Sequence, residues 1–280
     1  MIDVSIIFVN YNTRELTINA IKSVYDFTKT IRVEVIVVDN ASLDNSVQAI
    51  RQKFSDVVLI ESKENLGFGK GNNRGLEIAK GKYIFFLNTD TYLLNNAIEV
   101  LFYFMENNKN NNVAVCGAKL FKEDLSANVS AGIFPNYRLF VKGSFLKYLY
   151  SGNYYSGVER REIPNEFTKP FEVDYVSGAD FFVRRSVLDR TGGFDKRFFM
   201  YAEDAELSFR IKQALPKMKN MIVPKAKIVH ISQGSSKSDS TSKKFRLRFI
   251  RSRAIFYKIH EGIIPSCLYY IVSLKRLYFN

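Results

Sequence analysis

The sequence predicts an α/β fold, a doubly wound and mostly parallel sheet followed by a helical, basic C-terminal tail. Three observations carry this. Short β-rich runs alternate with segments of helical period from the first residues to about Cys116. The composition is globular, 46% hydrophobic and 25% charged over 280 residues, enough chain for a large core and too apolar for a disordered one. The charge is unevenly placed. From Lys243 to Asn280 nine Lys and Arg face the single acid Glu261, so +8 of the total +13 sits in the tail and +5 in the first 242 residues.

The elements follow in order. Val4–Val9 reads as a buried strand, and Thr13 stands where it can cap a helix to about Phe27. Val33–Val38 is a second strand, and Asp44 opens a helix to about Lys53. Val57–Ile60, a helix from Gly69 to Ala79 and the strand Tyr83–Leu87 continue the alternation. A helix over Asn95–Met105 and a strand at Val113–Cys116 complete the regular part. Phe134–Thr168 has no clean period and reads as a loop-rich insertion. Strands return at Val173–Val176, Phe181–Val183 and Ile228–Ile231, with a helix from Glu203 to Ala214. Ser232–Ser242 is a Ser/Gly/Lys linker. The expected division is therefore one domain over 1–235, in halves of about 1–115 and 116–235, and a basic amphipathic tail over 236–280.

Several classes are excluded or disfavoured. The longest uncharged apolar stretch, Gly262–Leu274, is shorter than the ~20 residues of a spanning helix and contains Pro265. Asp3 stands where a signal peptide wants a basic residue, so no export is expected. Cys116 and Cys267 fit neither a disulfide framework nor metal-site spacing, which points to a reducing, cytoplasmic compartment.

Ligands of doubly wound sheets bind beyond the carboxyl ends of the strands. Those ends carry Asn10-Tyr11-Asn12, Asp39-Asn40-Ala41-Ser42 and Asn88-Thr89-Asp90, an aromatic face with amides and carboxylates. Each set singly is an ordinary helix cap; three converging on one edge suggest a site. The glycine run from Asn65 to Gly75 lacks the G-K-[ST] of a P-loop and the third glycine of a dinucleotide fingerprint. A second constellation runs from Gly192 to Arg210. There Glu203, Asp204 and Glu206 crowd a helix start beside Phe198, Phe199 and Tyr201. A charged first turn is the plain reading. The aromatic flank suggests partial desolvation, which lifts a carboxylate towards a useful base. His230 ends a strand, and only Asp90 gives it a metal role worth considering.

These motifs together resemble the inverting glycosyltransferases of family 2, in particular a bacterial rhamnosyltransferase-like branch. The matching order is Val9–Asn12, Val38–Ser42, Asn65 with Gly67-Phe68, Asn73 with Gly75, Leu87–Asp90, Gly193-Phe194-Asp195, Glu203-Asp204 and His230, over roughly residues 3–235. The resemblance implies a GT-A fold, a nucleotide-sugar-binding first half and an acceptor-binding second half. It implies that Tyr11 stacks on a pyrimidine, that Asn10 and Asp39 line the base or ribose pocket, and that Asn65 and Asn73 shape it. Asn88-Thr89-Asp90 occupies the D-x-D position, with Asp90 and His230 as ligands of Mn²⁺ or Mg²⁺ and Asn88 beside the donor. Asp204 is the implied catalytic base, with Glu203 as the alternative neighbour, and Gly178, Ala179 and Arg184 match the acceptor-side segment. Asn88 in place of the first Asp, Asn72 in place of Arg, and Asp180 in an otherwise apolar position depart from the pattern.

The implied activity is hexosyltransferase-type transfer, with inversion, from a dTDP- or UDP-linked sugar such as rhamnose to a hydroxyl of a glycan or lipid-linked acceptor in bacterial surface polysaccharide synthesis. Two other readings compete. A nucleic-acid-binding protein is suggested by a pI near 9.5 and by Lys243–Arg253, where basic and aromatic residues interleave. Because that charge is confined to the tail, no nucleic acid is expected. A sugar nucleotidyltransferase would need a Gly/Arg/Lys-rich loop near the N-terminus, where Asn10–Leu16 offers only Arg14. The tail itself reads either as a helix packed on the domain or as an interfacial helix. In the second case Ile263–Leu274 dips into anionic headgroups and the enzyme sits peripherally on the inner face of the cell membrane.

Overall fold

The computed structural model describes residues 1–138, 140–141, 160–162, 167–231 and 243–279. Strands β1 (Val4–Asn10), β2 (Val33–Asp39), β3 (Val58–Glu61) and β4 (Tyr83–Leu87) alternate with helices α1 (Arg14–Phe27), α2 (Ser46–Lys53) and α3 (Phe68–Ile78). β1 pairs in parallel with β2 and β4, and β2 with β3. The runs Ile6–Phe8, Val35–Val38 and Tyr83–Leu87 are apolar and buried because both faces of the sheet are covered there. Phe8, Val37 and Phe85 pack with α1 and with α4 (Ala97–Glu106), while Ile7, Ile36 and Phe86 form a second core on the other face.

The remaining elements are β5 (Thr91–Leu93), β6 (Val113–Phe121), β7 (Val129–Gly132), β8 (Arg160–Glu162), β9 (Phe171–Val173), β10 (Tyr175–Val176), β11 (Asp180–Arg184), α5 (Arg185–Thr191), α6 (Glu203–Ala214), β12 (Lys219–His230), α7 (Lys243–His260) and α8 (Ile263–Phe279). The main sheet has the order β3-β2-β1-β4-β11-β6-β12-β5, with β9 on β12, and β10-β7-β8 form a small second sheet. The sheet is mixed. Six strands share one direction, while β11, β9 and β5 oppose it.

Two expectations change. Thr13 makes no side-chain cap; its hydroxyl donates to Asn10 Oδ1 at 2.8 Å, and Asp44 Oδ2 accepts the Arg14 N–H instead at 2.8 Å. The strand expected at Ile228–Ile231 is the end of the twelve-residue β12, whose register shifts between Val223 and Lys227 around Pro224. Proline has no N–H for the ladder, and an irregularity absorbs it, which hid this strand from the pattern.

The helices of the tail pack on the domain. α7 and α8 form a hairpin turned at Gly262, where φ is +99°. Phe256 and Tyr257 are buried against Phe198, Phe140 and Tyr269, and Ser252 Oγ donates to the Met200 carbonyl at 2.7 Å. Ile263–Leu274 is helical, with Pro265 in the first turn, where a missing N–H costs nothing. The linker and most of the expected insertion lie outside the described residues.

Candidate active site

The carboxyl ends of β1, β2 and β4 meet in one polar network. Asn10 is fully buried, and its Nδ2 donates to Asp39 Oδ2 at 2.6 Å and to Ser42 Oγ at 3.0 Å. Its Oδ1 accepts from the hydroxyls of Thr13 and Thr17, and Thr13 in turn lies 3.1 Å from Thr89 Oγ1. Asp39 Oδ1 accepts the Ser42 N–H at 2.8 Å. Parallel register puts Asn10 opposite Asp39, so the sheet itself forms this pair. Both oxygens of Asp39 are thus held by the fold, and a base or ribose would meet only their remaining lone pairs. Tyr11, 47% exposed at the mouth, offers an open aromatic face.

Asn65 and Asn73 serve the scaffold. Asn65 Oδ1 accepts the Gly67 N–H at 2.9 Å and bends the chain so that Gly67, φ +79°, lies against the Phe199 backbone. A Cβ there would come 2.2 Å from the Phe199 carbonyl oxygen, so this close approach requires glycine. Asn73 was expected to shape the nucleotide pocket. Instead its amide is engaged at both ends by the Phe194 backbone, at 2.8 and 2.9 Å, joining α3 to the loop before α6.

Asp90 and His230 are brought together by the antiparallel pairing of β5 with β12, which sets His230 opposite Thr91. His230 Nε2 lies 3.3 Å from Asp90 Oδ1 and 3.3 Å from Asn88 Nδ2. Ligands at right angles, ~2.1 Å from one ion, sit roughly 3 Å apart, so the Asp90 oxygen and His230 nitrogen fit a shared divalent cation. Among the described residues no third His, Cys, Asp or Glu joins them. Further oxygens would have to come from substrate or water.

The third part of the site is the start of α6. Asp204 Oδ2 accepts the Gly178 N–H at 2.9 Å and Oδ1 the Ala205 N–H at 2.8 Å, leaving the carboxylate half-buried. Glu203 is buried with Oε2 unpartnered, and burial, then the neighbouring Asp204, pushes its carboxyl up to about 8. Burial also acts on Glu206, but the neighbouring His260 ring and the paired guanidinium bonds from Arg210 outweigh it and hold Glu206 below the usual range. Gly178-Ala179 links the two clusters, because the Ala179 carbonyl accepts the Asn88 N–H at 3.0 Å.

Arg184 does not join them. β11 pairs it with Tyr83, at the amino end of β4, so it lies at the opposite edge of the sheet. There it donates to the Val113, Met105 and Asn110 carbonyls and to Tyr83 Oη. Its placement is structural, not acceptor-side. Asp180 is fully buried, with Oδ2 accepting the Ala118 N–H, and so does not face an acceptor either. Two further residues had no individual role expected of them. Asn40 is buried beside Asp39, donates to the Gly67 carbonyl and has an unpartnered Oδ1. His260 comes from α7 to lie 3.5 Å from Glu206, a meeting no motif announced.

Comparison with known proteins shows the family and the fold. The family model "Glycosyl transferase family 2" matches residues 5–192. An N-acetylglucosaminyl-diphospho-decaprenol L-rhamnosyltransferase of Mycobacterium tuberculosis is 28% identical over 221 residues, covering 75% of this chain and 70% of that protein. The crystal structure of GalNAc-T7 with UDP, GalNAc and Mn²⁺ superposes with a TM-score of 0.65 at 16% identity, over 99% of this chain and 54% of that one. The chain thus spans about half the length of that structure. A Pyrobaculum calidifontis mannosyltransferase in complex with GDP-Man and Mn²⁺ gives 0.58 at 16% identity, over 98% of this chain and 74% of that one. The fold is therefore of the GT-A type, with three opposing strands in its mostly parallel sheet, and the chain belongs to glycosyl transferase family 2.

Proposed function

We propose that this chain moves a sugar, with inversion, from a dTDP- or UDP-linked donor to a hydroxyl of a lipid-linked or glycan acceptor in surface polysaccharide synthesis. The observation that carries the reading is the sorting of three neighbouring carboxyls. Glu206 is tied to Arg210, Glu203 keeps its proton near neutrality, and Asp204 alone stands as an accessible carboxylate held by two backbone N–H groups. Asp204 takes the proton of the acceptor hydroxyl as that oxygen attacks the anomeric carbon. The bond to the diphosphate oxygen breaks on the far face, its electron pair leaving with the nucleoside diphosphate, so configuration inverts without an enzyme-bound intermediate.

Asp90 and His230, with Asn88 beside them, would hold the Mn²⁺ or Mg²⁺. Such an ion, when bound, stabilises the charge of the leaving diphosphate as a Lewis acid. Tyr11 supplies the stacking face for the base, and the Asn10–Asp39–Ser42 network fixes the pocket around it. Rhamnose as the sugar, and a diphosphate-lipid-linked sugar as the acceptor, are carried over from the name of the mycobacterial relative.

The test is a panel of dTDP-, UDP- and GDP-sugars with the purified full chain and Mn²⁺, reading nucleoside diphosphate release and the anomeric configuration of the product. One pyrimidine donor should turn over with inversion. Retention of configuration, or no turnover with any donor and acceptor, overturns the reading.

A further inference from the structure

α8 turns a row of large apolar side chains to solvent. Among the described residues sixteen large hydrophobic side chains are exposed, and five of them, Ile263, Ile264, Leu268, Ile271 and Tyr278, belong to this one helix. Ile264, Leu268, Ile271 and Tyr278 recur with Lys275 at helical spacing and so share one face. The opposite face is spent on packing, with Tyr269 buried against Tyr257 and Phe140, and Ser266 Oγ bonded to the Ala254 carbonyl at 2.7 Å. An apolar row this concentrated marks an interaction surface.

The partner's chemistry is read from α7. Lys244, Arg248, Arg251 and Lys258 recur at the same helical spacing on the side away from Phe256, and α7 contains no acid. Beside that row, Lys243 reaches the apolar row of α8, its Nζ lying 5.4 Å from the Tyr278 ring. Two of the nine basic residues are spent on the fold, since Arg253 is buried and Arg276 lies over Phe140. A second copy of the chain would bring two such basic surfaces together. A bilayer with anionic headgroups offers both an apolar boundary and the opposite charge.

We propose that the α7–α8 hairpin docks on an anionic lipid surface, with the Ile264–Leu268–Ile271 face of α8 entering the headgroup–acyl boundary and the α7 basic row lying against the headgroups. No described helix is long and apolar enough to cross a membrane. The hairpin is also fastened to the candidate site. Tyr201 packs on Phe245 and Phe249, Ser252 holds the Met200 carbonyl, and His260 faces Glu206 on the helix that begins Glu203-Asp204. This deepens the proposed function by naming the surface on which a lipid-linked acceptor is met, although binding itself does not depend on that reading.

The experiment is vesicle co-sedimentation of the full chain, comparing phosphatidylglycerol-containing with pure phosphatidylcholine vesicles. Removing the tail would strip Phe256 and Tyr257 from a shared core, so exposed residues are substituted instead: Ile264→Ser with Ile271→Ser, Lys244→Glu with Arg251→Glu, and Lys275→Glu. Wild type should bind only the anionic vesicles and be released by high salt. Each double variant should lose roughly tenfold or more in binding, with an unchanged thermal midpoint and unchanged turnover of a water-soluble acceptor. Equal binding to both vesicle types, or full binding by both double variants, overturns the proposal. So does a solution dimer that Ile264→Ser disperses, which would assign the face to a second copy. If the doubles fold poorly, Lys275→Glu decides by the same readout. Absence of sugar transfer with vesicle binding intact would overturn the proposed function and leave the lipid surface standing.

Discussion

His230 Nε2 stands 3.3 Å from Asp90 Oδ1, although Asp90 follows β4 and His230 ends β12, far apart in the chain. The pair exists because β5 runs antiparallel to the last three residues of β12, Ile228–His230, and one slip of register would turn His230 to the other face. Asp90→Ala should lower turnover by ~10²–10³-fold, and a chelator should reproduce most of the loss in the unaltered protein. His230→Ala should be milder, because water can take one ligand position. Metal titration followed by donor-dependent turnover measures both. Full activity of Asp90→Ala in excess chelator would remove this pair from the mechanism.

Glu203 and Asp204 adjoin in sequence but occupy unlike environments. Asp204→Asn keeps the bonds to Gly178 and Ala205 possible and loses the proton acceptor, so turnover should fall ~10²–10⁴-fold with donor affinity unchanged. Glu203→Gln imitates a carboxyl that already holds its proton and should retain most activity near neutrality. Single-turnover rates with saturating donor separate the two. The reverse ranking would transfer the base role to Glu203.

The same buried carboxyl has a consequence for stability. Its ordinary value is 4.5, and in the folded chain burial and Asp204 push it up to about 8. Between those values the folded chain binds the proton and the unfolded chain does not, so this group's contribution to stability declines as pH rises from about 4.5 to about 8 and then levels off. Glu203→Gln removes the dependence. Its thermal midpoint should gain on wild type progressively across that window. A constant difference across the window would contradict the assignment.

Arg184 offers the opposite kind of test. Four donated bonds tie β11 to β4, β6 and the turn after α4, at the edge of the sheet remote from Asp90. Arg184→Met should cost about 3 kcal/mol in urea unfolding by stranding those acceptors. Donor KM and acceptor KM of the folded fraction should stay at wild-type values. A selective rise in acceptor KM at unchanged stability would restore the acceptor role.

The sequence by itself determined the first half of this protein. Uniformly apolar strands such as Ile6–Phe8 and Val35–Val38 can be buried only between two helical layers, and their polar ends then converge whatever the remainder does. The candidates Asn10, Asp39, Asp90 and His230 were legible because polar residues closing apolar runs are local signals, whereas Asp204, in the first turn of a helix, was singled out by the family resemblance. Tertiary structure decided what local signals cannot carry. The direction of β11 depends on its neighbours, and it sent Arg184 to the far edge of the sheet. Asn73 looked like a ligand-facing amide until the Phe194 backbone took both of its ends. The tail's composition announced an amphipathic segment, but which apolar side chains it spends on the domain and which it leaves to solvent is fixed by packing alone. Phe256 and Tyr257 fill the core beneath α7, so the exposed row falls to α8. Periodicity shows that a face exists, and only the surrounding surfaces decide what covers it.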